Sequence, residues 1–390
     1  MFIINNDNMN LIERNNCILT GLCDLEYLYT FKEFPFFMGC TEDGAINDVK
    51  PDMIWNISRN TGIIQLKNLI PLDLLYKKSH GAGVVGKLWS DHHFNFSKFI
   101  LNFEMNNVLE IGGGHNKLSN NVLEVRNNID WTIIDPNVDV KNISNKINVI
   151  DDFFDDTFSS DKDFDTIIFS HLIEHIYDPN VFIGTLLRII KNGTHLLFSV
   201  PNMKEMLKNK YTNCLNFEHT LFLTEPYIEY LFDKYGFKLL LKEEFMEDHS
   251  FFYAYEFDEN HVKTIELDNY YEENKKIFFE YVNHYHRFVK EINDNIEKSN
   301  YDEIYLFGAH IFSQYLISFG LNTNNVLFII DNDINKQGKR LYGTDLYVKS
   351  PKILIDKKNT LVILCAGFYN DEIKKDILSI NKNINIIEIL

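Results

Sequence analysis

Between residues 108 and 200 the chain repeats one pattern: a short apolar run, a turn marked by Gly, Asp or Asn, and a stretch long enough for a helix. The runs are Val108-Leu-Glu-Ile111, Trp131-Thr-Ile-Ile-Asp135, Ile147-Asn-Val-Ile-Asp151, Asp165-Thr-Ile-Ile-Phe169 and His195-Leu-Leu-Phe-Ser-Val200. Continuous apolar runs of this length are strands buried on both faces, and helix-length connections make them parallel. The chain is thereby constrained to an α/β fold with a doubly wound, Rossmann-like sheet. A second unit of the same kind opens at Ile304-Tyr-Leu-Phe-Gly308-Ala309 and continues through Val326–Asp331 and Thr360–Leu364. Between the two, Ile277, Tyr281, Tyr285, Phe288, Ile292 and Ile296 recur at helical spacing and share one face, as a connector helix packed on one side would require. Residues 1–72 hold three of the cysteines, Cys17, Cys23 and Cys40, among short apolar runs split by polar residues. They predict a small, loop-rich lobe. The expected division is an N-terminal lobe 1–72, a first α/β domain 73–258, a connector 259–300 and a C-terminal α/β domain 301–390.

Charge narrows the partners. Lys+Arg number 38 against 56 Asp+Glu, a formal net charge of −18 over 390 residues. Such a surface repels phosphate backbones and anionic lipid, so a small molecule is expected as partner, with no nucleic acid and no membrane. No apolar run approaches the length of about 18 residues that a spanning helix needs. Met1-Phe2-Ile3-Ile4-Asn5-Asn6 lacks the basic start of a signal peptide, and five scattered cysteines do not make a disulfide framework. A cytoplasmic location is the expectation.

The first strand runs into Glu110-Ile-Gly112-Gly113-Gly114. Glycine lets backbone approach a ligand closely where a strand turns into a helix. A dinucleotide fingerprint would need a third glycine at 117, where Lys117 stands. A carboxylate two positions before the first glycine suits a cationic ligand better than a pyrophosphate, and S-adenosylmethionine meets that description. Asp135, at the end of the second strand, is placed to accept hydrogen bonds from two ribose hydroxyls. Asp152 and Phe153, after the third, offer a carboxylate for an adenine amine and an aromatic face for its ring.

With Phe169-Ser-His171-Leu-Ile-Glu174-His175-Ile-Tyr-Asp178-Pro179 added, these motifs resemble those of S-adenosylmethionine-dependent methyltransferases. The order of a small cysteine lobe, a methyltransferase sheet, a Glu-His pair and a second Rossmann-like unit resembles the sugar C-methyltransferases that act on nucleotide-linked keto sugars. That resemblance implies a catalytic pair at Glu218-His219, a further active-site histidine at His175, and a cofactor contact at His171. It also implies substrate contacts at Asn216, at His80 in a glycine-containing segment, and at Lys336 and Arg340 beside Gly338. Asn216 stands where the family has a tyrosine, which leaves C-methylation of a keto sugar and O- or N-methylation both open. The family's two zinc knuckles read here Cys17-Ile-Leu-Thr20-Gly21 and Ser58-Arg-Asn-Thr61-Gly62. With one thiolate left of four, the lobe is expected to fold without metal. The alternative is a nucleotide-binding oxidoreductase or a non-catalytic nucleotide-binding module. Lys117 and Glu110 speak against the oxidoreductase.

Overall fold

The structure, a computed structural model, describes residues 10–75, 86–139 and 143–388. Its N-terminal elements are short: β1 (Ile12–Glu13), β2 (Leu25–Phe31), β3 (Cys40–Thr41), β4 (Met53–Ser58), β5 (Ile64–Leu66), β6 (Asn68–Leu69) and the one-turn α1 (Leu72–Leu75). Where loops were expected, β2, β4 and β5 form an antiparallel sheet. Met53, Trp55 and Ile57 point inward at period two and are fully buried. Apolar Ile54 between them hides that alternation in the sequence. The two degenerate knuckles meet across this sheet. Gly21 and Gly62 take φ of +75° and +76°, and the Cys17 thiol lies 3.6 Å from the Thr61 hydroxyl.

The large sheet follows α2 (Lys87–Ile100). Its elements are β7 (Asn107–Ile111), α3 (Lys117–Val125), β8 (Asp130–Ile134), β9 (Ile147–Ile150), β10 (Thr166–Ser170), α4 (Pro179–Leu187), β11 (His195–Pro201), α5 (Met203–Lys208), α6 (Glu225–Lys234), β12 (Phe237–Phe245) and β13 (Ser250–Phe257). All five runs read from the sequence are strands of it. The strand order is β12-β13-β11-β10-β7-β8-β9, parallel from β11 to β9. The β12–β13 hairpin, which the five-run pattern did not announce, adds the antiparallel edge. The chain winds outward from β7 to β9, then returns to β10 on the other side of β7. A ligand crevice opens at such a reversal, beyond the carboxyl ends of the strands.

The remaining elements are α7 (Tyr271–Lys298), β14 (Glu303–Phe307), α8 (Ile311–Ser318), β15 (Val326–Ile330), β16 (Arg340–Leu341), β17 (Val348–Lys349), β18 (Thr360–Leu364), α9 (Asn370–Ile380) and β19 (Asn385–Glu388). Five strands form a second parallel sheet in the order β17-β15-β14-β18-β19, reversing between β14 and β18. The face of α7 anticipated from its apolar spacing is buried except at Phe288, which is half-buried. On it Tyr285 stacks against Phe319 at 5.0 Å and donates its hydroxyl to the Lys210 carbonyl at 2.6 Å, tying both α/β units to one helix. Across the gap between them, a Cβ on Gly367 would meet the Tyr211 ring at 3.3 Å, so the segment after β18 approaches the one after α5. No helix among the described residues is long and apolar enough to cross a membrane.

Candidate active site

The glycine turn is built by backbone hydrogen bonds before any ligand is considered. Gly112, at φ +77°, donates its N–H to the carbonyl of Ile134, the last residue of β8, at 2.9 Å. The Asp135 carboxylate then accepts one N–H on each oxygen, from Gly114 at 3.1 Å and from Asn137 at 2.7 Å. Each oxygen retains a lone pair, enough to receive a ribose diol. The second sheet repeats this arrangement. Gly308 donates to Ile330 at 2.9 Å, while Asp331 accepts from Ala309 and Asp333, each at 2.8 Å.

Glu110 departs from expectation. Its side chain lies beneath the turn and is buried, accepting the Trp131 indole N–H at 2.8 Å. A Cβ on Gly113 would stand 2.5 Å from its carboxyl carbon. Burial pushes the Glu110 carboxyl up to about 8. It supports the loop from below and presents no charge to a ligand. Asp152 and Phe153 stand exposed beyond β9, Phe153 with 41% of its surface accessible, open to a planar ring.

Beyond β10 and β11 lies a group of imidazoles and carboxylates. Asn216 organises one side of it. Its side-chain oxygen accepts the backbone N–H of Glu218 at 2.7 Å and of His219 at 2.9 Å, closing the turn that carries both. Asn216 is 2% exposed, so it positions the Glu-His pair and does not present its amide to substrate, as the sequence reading had it. His219 Nδ1 faces the carbonyls of Asn213 and Cys214 at 2.9 and 3.2 Å. Carbonyls only accept, so Nδ1 carries the proton and Nε2 is left with a lone pair. Burial lowers the His219 pKa, opposed by the nearby Glu174 charge and the two carbonyls.

Glu218, expected beside His219, has its Oε2 3.8 Å from His175 Nδ1. The acid coupled to His219 is Glu174, buried and pushed up to about 7 by desolvation. The His175 and His219 rings meet edge to face with centroids 4.6 Å apart. Glu174, His175 and His219 offer ligand atoms within 4.8 Å of one another, so this donor set could also hold a cation.

The other expected contacts fall as follows. Arg340 is 3% exposed. Its guanidinium forms a two-point pair with Asp48 at 2.6 and 2.9 Å and donates to the carbonyls of Asp43 and Thr344, each at 2.7 Å. On β16, which pairs with β3, it joins the N-terminal lobe to the C-terminal unit and has no donor left for a diphosphate. Lys336 is held 3.2 Å from Asp331, at the foot of the second glycine turn. His171, expected at the cofactor, turns its ring toward His92, His249 and Ser250. His80 lies outside the described residues.

Residues 87–242 match the family model of a methyltransferase domain. The chain carries a methyltransferase domain. Among solved structures it is similar to the plantazolicin methyltransferase BpumL in complex with a monoazolic desmethylPZN analogue and SAH, at 14% identity, 44% of this chain and 84% of that one, TM-score 0.35. It is also similar to a putative S-adenosylmethionine-dependent methyltransferase from Listeria monocytogenes, at 12% identity, 44% and 100% coverage and TM-score 0.36. A putative O-methyltransferase from Nostoc punctiforme follows at 11% identity, 43% and 56% coverage and TM-score 0.38. No curated protein matches the sequence.

The methyltransferase domain thus contains the glycine turn, Asp135 and the Glu174, His175, Glu218 and His219 group. Sequence reading overlooked His92, His249, Trp89 and the carbonyl of Asn213. His92 and His249 lie 157 positions apart in the chain. No local spacing could have joined them.

Proposed function

We propose that this chain is an S-adenosylmethionine-dependent methyltransferase acting on a nucleotide-linked sugar or a similar small nucleotidyl metabolite, with His219 as the base. The observation that carries the reading is the carbonyl pair at His219 Nδ1, which keeps Nε2 unprotonated and available at neutral pH.

The fit to the methyl donor rests on the glycine turn. A Cβ at Gly114 would stand 2.9 Å from the Asp135 carboxylate, so the loop tolerates no side chain where a nucleoside must approach. Gly112, Gly114 and Asp135 would hold its ribose and amino-acid parts, and Asp152 and Phe153 its adenine. Bound there, the sulfonium offers a methyl group to whatever atom His219 has deprotonated. His219 takes the proton on Nε2 and keeps its Nδ1 proton on the carbonyls. The resulting imidazolium is stabilised by Glu174, and His175, backed by Glu218, borders it on the other side.

Asn216 is buried, with its oxygen taken by the Glu218-His219 turn and its Nδ2 donating to the Asn213 carbonyl at 3.3 Å, so it does not stand in for the phenol that would donate to an enolate oxygen. This favours a hydroxyl as the methylated group over a carbon beside a ketone. The nucleotide-linked class rests on the second sheet, whose Gly308–Asp331 turn repeats the geometry of the first.

Mass spectrometry of products from a panel of nucleotide-sugars with the methyl donor tests the reading. A gain of one methyl on oxygen, lost in His219→Ala, is expected. Solvent deuterium entering the carbon beside a ketone, without the donor, would move the reaction to C-methylation. Thermal stabilisation by NAD with none by S-adenosylhomocysteine would overturn the assignment and revive the oxidoreductase alternative.

A further inference from the structure

Beside the proposed catalytic group, three histidines from three separate segments meet: His92 from α2, His171 from the turn after β10, and His249 from the connection between β12 and β13. Their ring centroids are separated by 5.0, 5.4 and 5.9 Å. One nitrogen from each lies within 4.8 Å of the others. A tetrahedral zinc with bonds of about 2.0–2.1 Å places neighbouring nitrogens about 3.4 Å apart and imidazole centroids about 5 Å apart. The rings already lie near the spacing of three ligands around one ion, short of a contraction of up to about 1.4 Å between the nitrogens.

His92 is the anomaly that points to a ligand. It is fully buried, and neither ring nitrogen has a hydrogen-bond partner among the described residues. A buried imidazole with both polar atoms unsatisfied is a standing cost to the fold, and an ion bound at its lone-pair nitrogen would remove one part of it. The surroundings of its two neighbours agree. His171 Nδ1 lies 3.3 Å from Glu174 Oε1, the carboxylate-to-histidine contact that orients metal-ligating imidazoles. Its other nitrogen, Nε2, approaches the Ser250 hydroxyl at 2.8 Å, and His249 Nδ1 approaches the same hydroxyl at 2.5 Å. A hydroxyl has one proton to give, so it can donate to one of these nitrogens only, and its lone pairs make Ser250 Oγ an oxygen donor beside both rings. Trp89 closes the cluster, its ring 5.0 to 5.4 Å from all three histidines.

From this geometry we infer a zinc site formed by His92, His171 and His249, with Ser250 or a water as the fourth donor. The ion would staple α2 to the ends of β10 and β13. Because His171 adjoins Leu172, whose side chain packs 3.2 Å from where a Cβ on Gly112 would lie, the staple would also brace the glycine turn. The site is separate from the degenerate cysteine knuckles of the N-terminal lobe.

The test is metal content of the full chain, with no reference to activity. Protein stripped by chelator and equilibrated with zinc is expected to retain roughly one equivalent after desalting. Cobalt in its place should give visible d–d bands of a nitrogen-rich tetrahedral centre. His92→Phe, which keeps the aromatic packing, should lower the stoichiometry to near zero, and His249→Gln serves where that variant fails to fold. His219→Ala should keep the ion. Retention of less than a tenth of an equivalent by the parent protein would make the cluster an aromatic core only and overturn the proposal. So would full binding with an unchanged cobalt spectrum in both His92→Phe and His249→Gln. Loss of the ion in His219→Ala alone would place it on Glu174, His175 and His219 and equally overturn it.

Discussion

Asn216 and His219 are joined by a hydrogen bond of 2.9 Å from the His219 backbone to the Asn216 side-chain oxygen, with the Glu218 N–H on the same acceptor. Asn216→Ala leaves two buried N–H groups without a partner and is expected to cost about 1–3 kcal/mol of stability. Asn216→Asp keeps the acceptor and should recover most of it. Urea denaturation of the two variants checks this, and equal stabilities would show that the turn does not depend on the side chain.

His219→Ala should lower kcat by about 10²–10⁴-fold while leaving S-adenosylhomocysteine affinity within a few fold. Because burial lowers the His219 pKa, the acid limb of the pH–rate profile should fall below the range of an exposed histidine, and activity should persist near pH 6. An acid limb above the ordinary histidine value would argue for a different base.

Glu110 makes the pH dependence of stability testable without substrate. Its folded-state value is raised to about 8 from 4.5. Stability from the neutral form is therefore fully present below the ordinary carboxylate range and is lost as pH rises toward 8. The slope approaches about 1.4 kcal/mol per pH unit within that window. Glu110→Gln, which cannot ionise and can still accept from Trp131, should melt at a temperature that changes less between pH 5 and 9 than the parent's. Parallel melting curves for the two would be inconsistent with a buried neutral acid.

Arg340 and Asp48 form a buried pair, with side chains 3% and 2% exposed. Arg340→Met strands the Asp48 carboxylate and is expected to cost about 3–5 kcal/mol. KM for the proposed nucleotide-sugar substrate should change by less than about twofold, since the guanidinium N–H groups are already taken within the protein. A large KM effect at unchanged stability would restore the substrate contact expected of it from the sequence.

Gly114→Ala drives a methyl group against the Asp135 carboxylate at 2.9 Å. Binding of S-adenosylhomocysteine by calorimetry should weaken by about tenfold or more, the equivalent of 1.4 kcal/mol. An unaltered affinity would mean that Asp135 does not hold the nucleoside.

Much of the fold was legible because it is written locally. Buried parallel strands must be apolar along their whole length, and the turn after the first must be glycine where φ is positive. Both Rossmann-like sheets, the apolar face of α7 and the placement of Asp135 followed from those rules. The β12–β13 hairpin escaped because β12, outermost in the sheet and largely exposed, carries Lys and Glu among its apolar residues. The lobe's sheet escaped because Ile54 blurs its alternation.

The functional groups divide along the same line. Glycines at a tight turn, and an acid at a strand end, are dictated by backbone geometry over a few residues, so the sequence alone determined the glycine turn and the methyltransferase-like order of motifs. Which carboxylate meets which imidazole is a matter of side chains arriving from different strands. Only the tertiary structure paired Glu218 with His175, sent Arg340 to Asp48, drew Glu110 beneath its loop and brought His92 to His171 and His249. Contacts between residues distant in sequence are set by how whole layers pack, and desolvation, which decides their charge, exists only once that packing is complete.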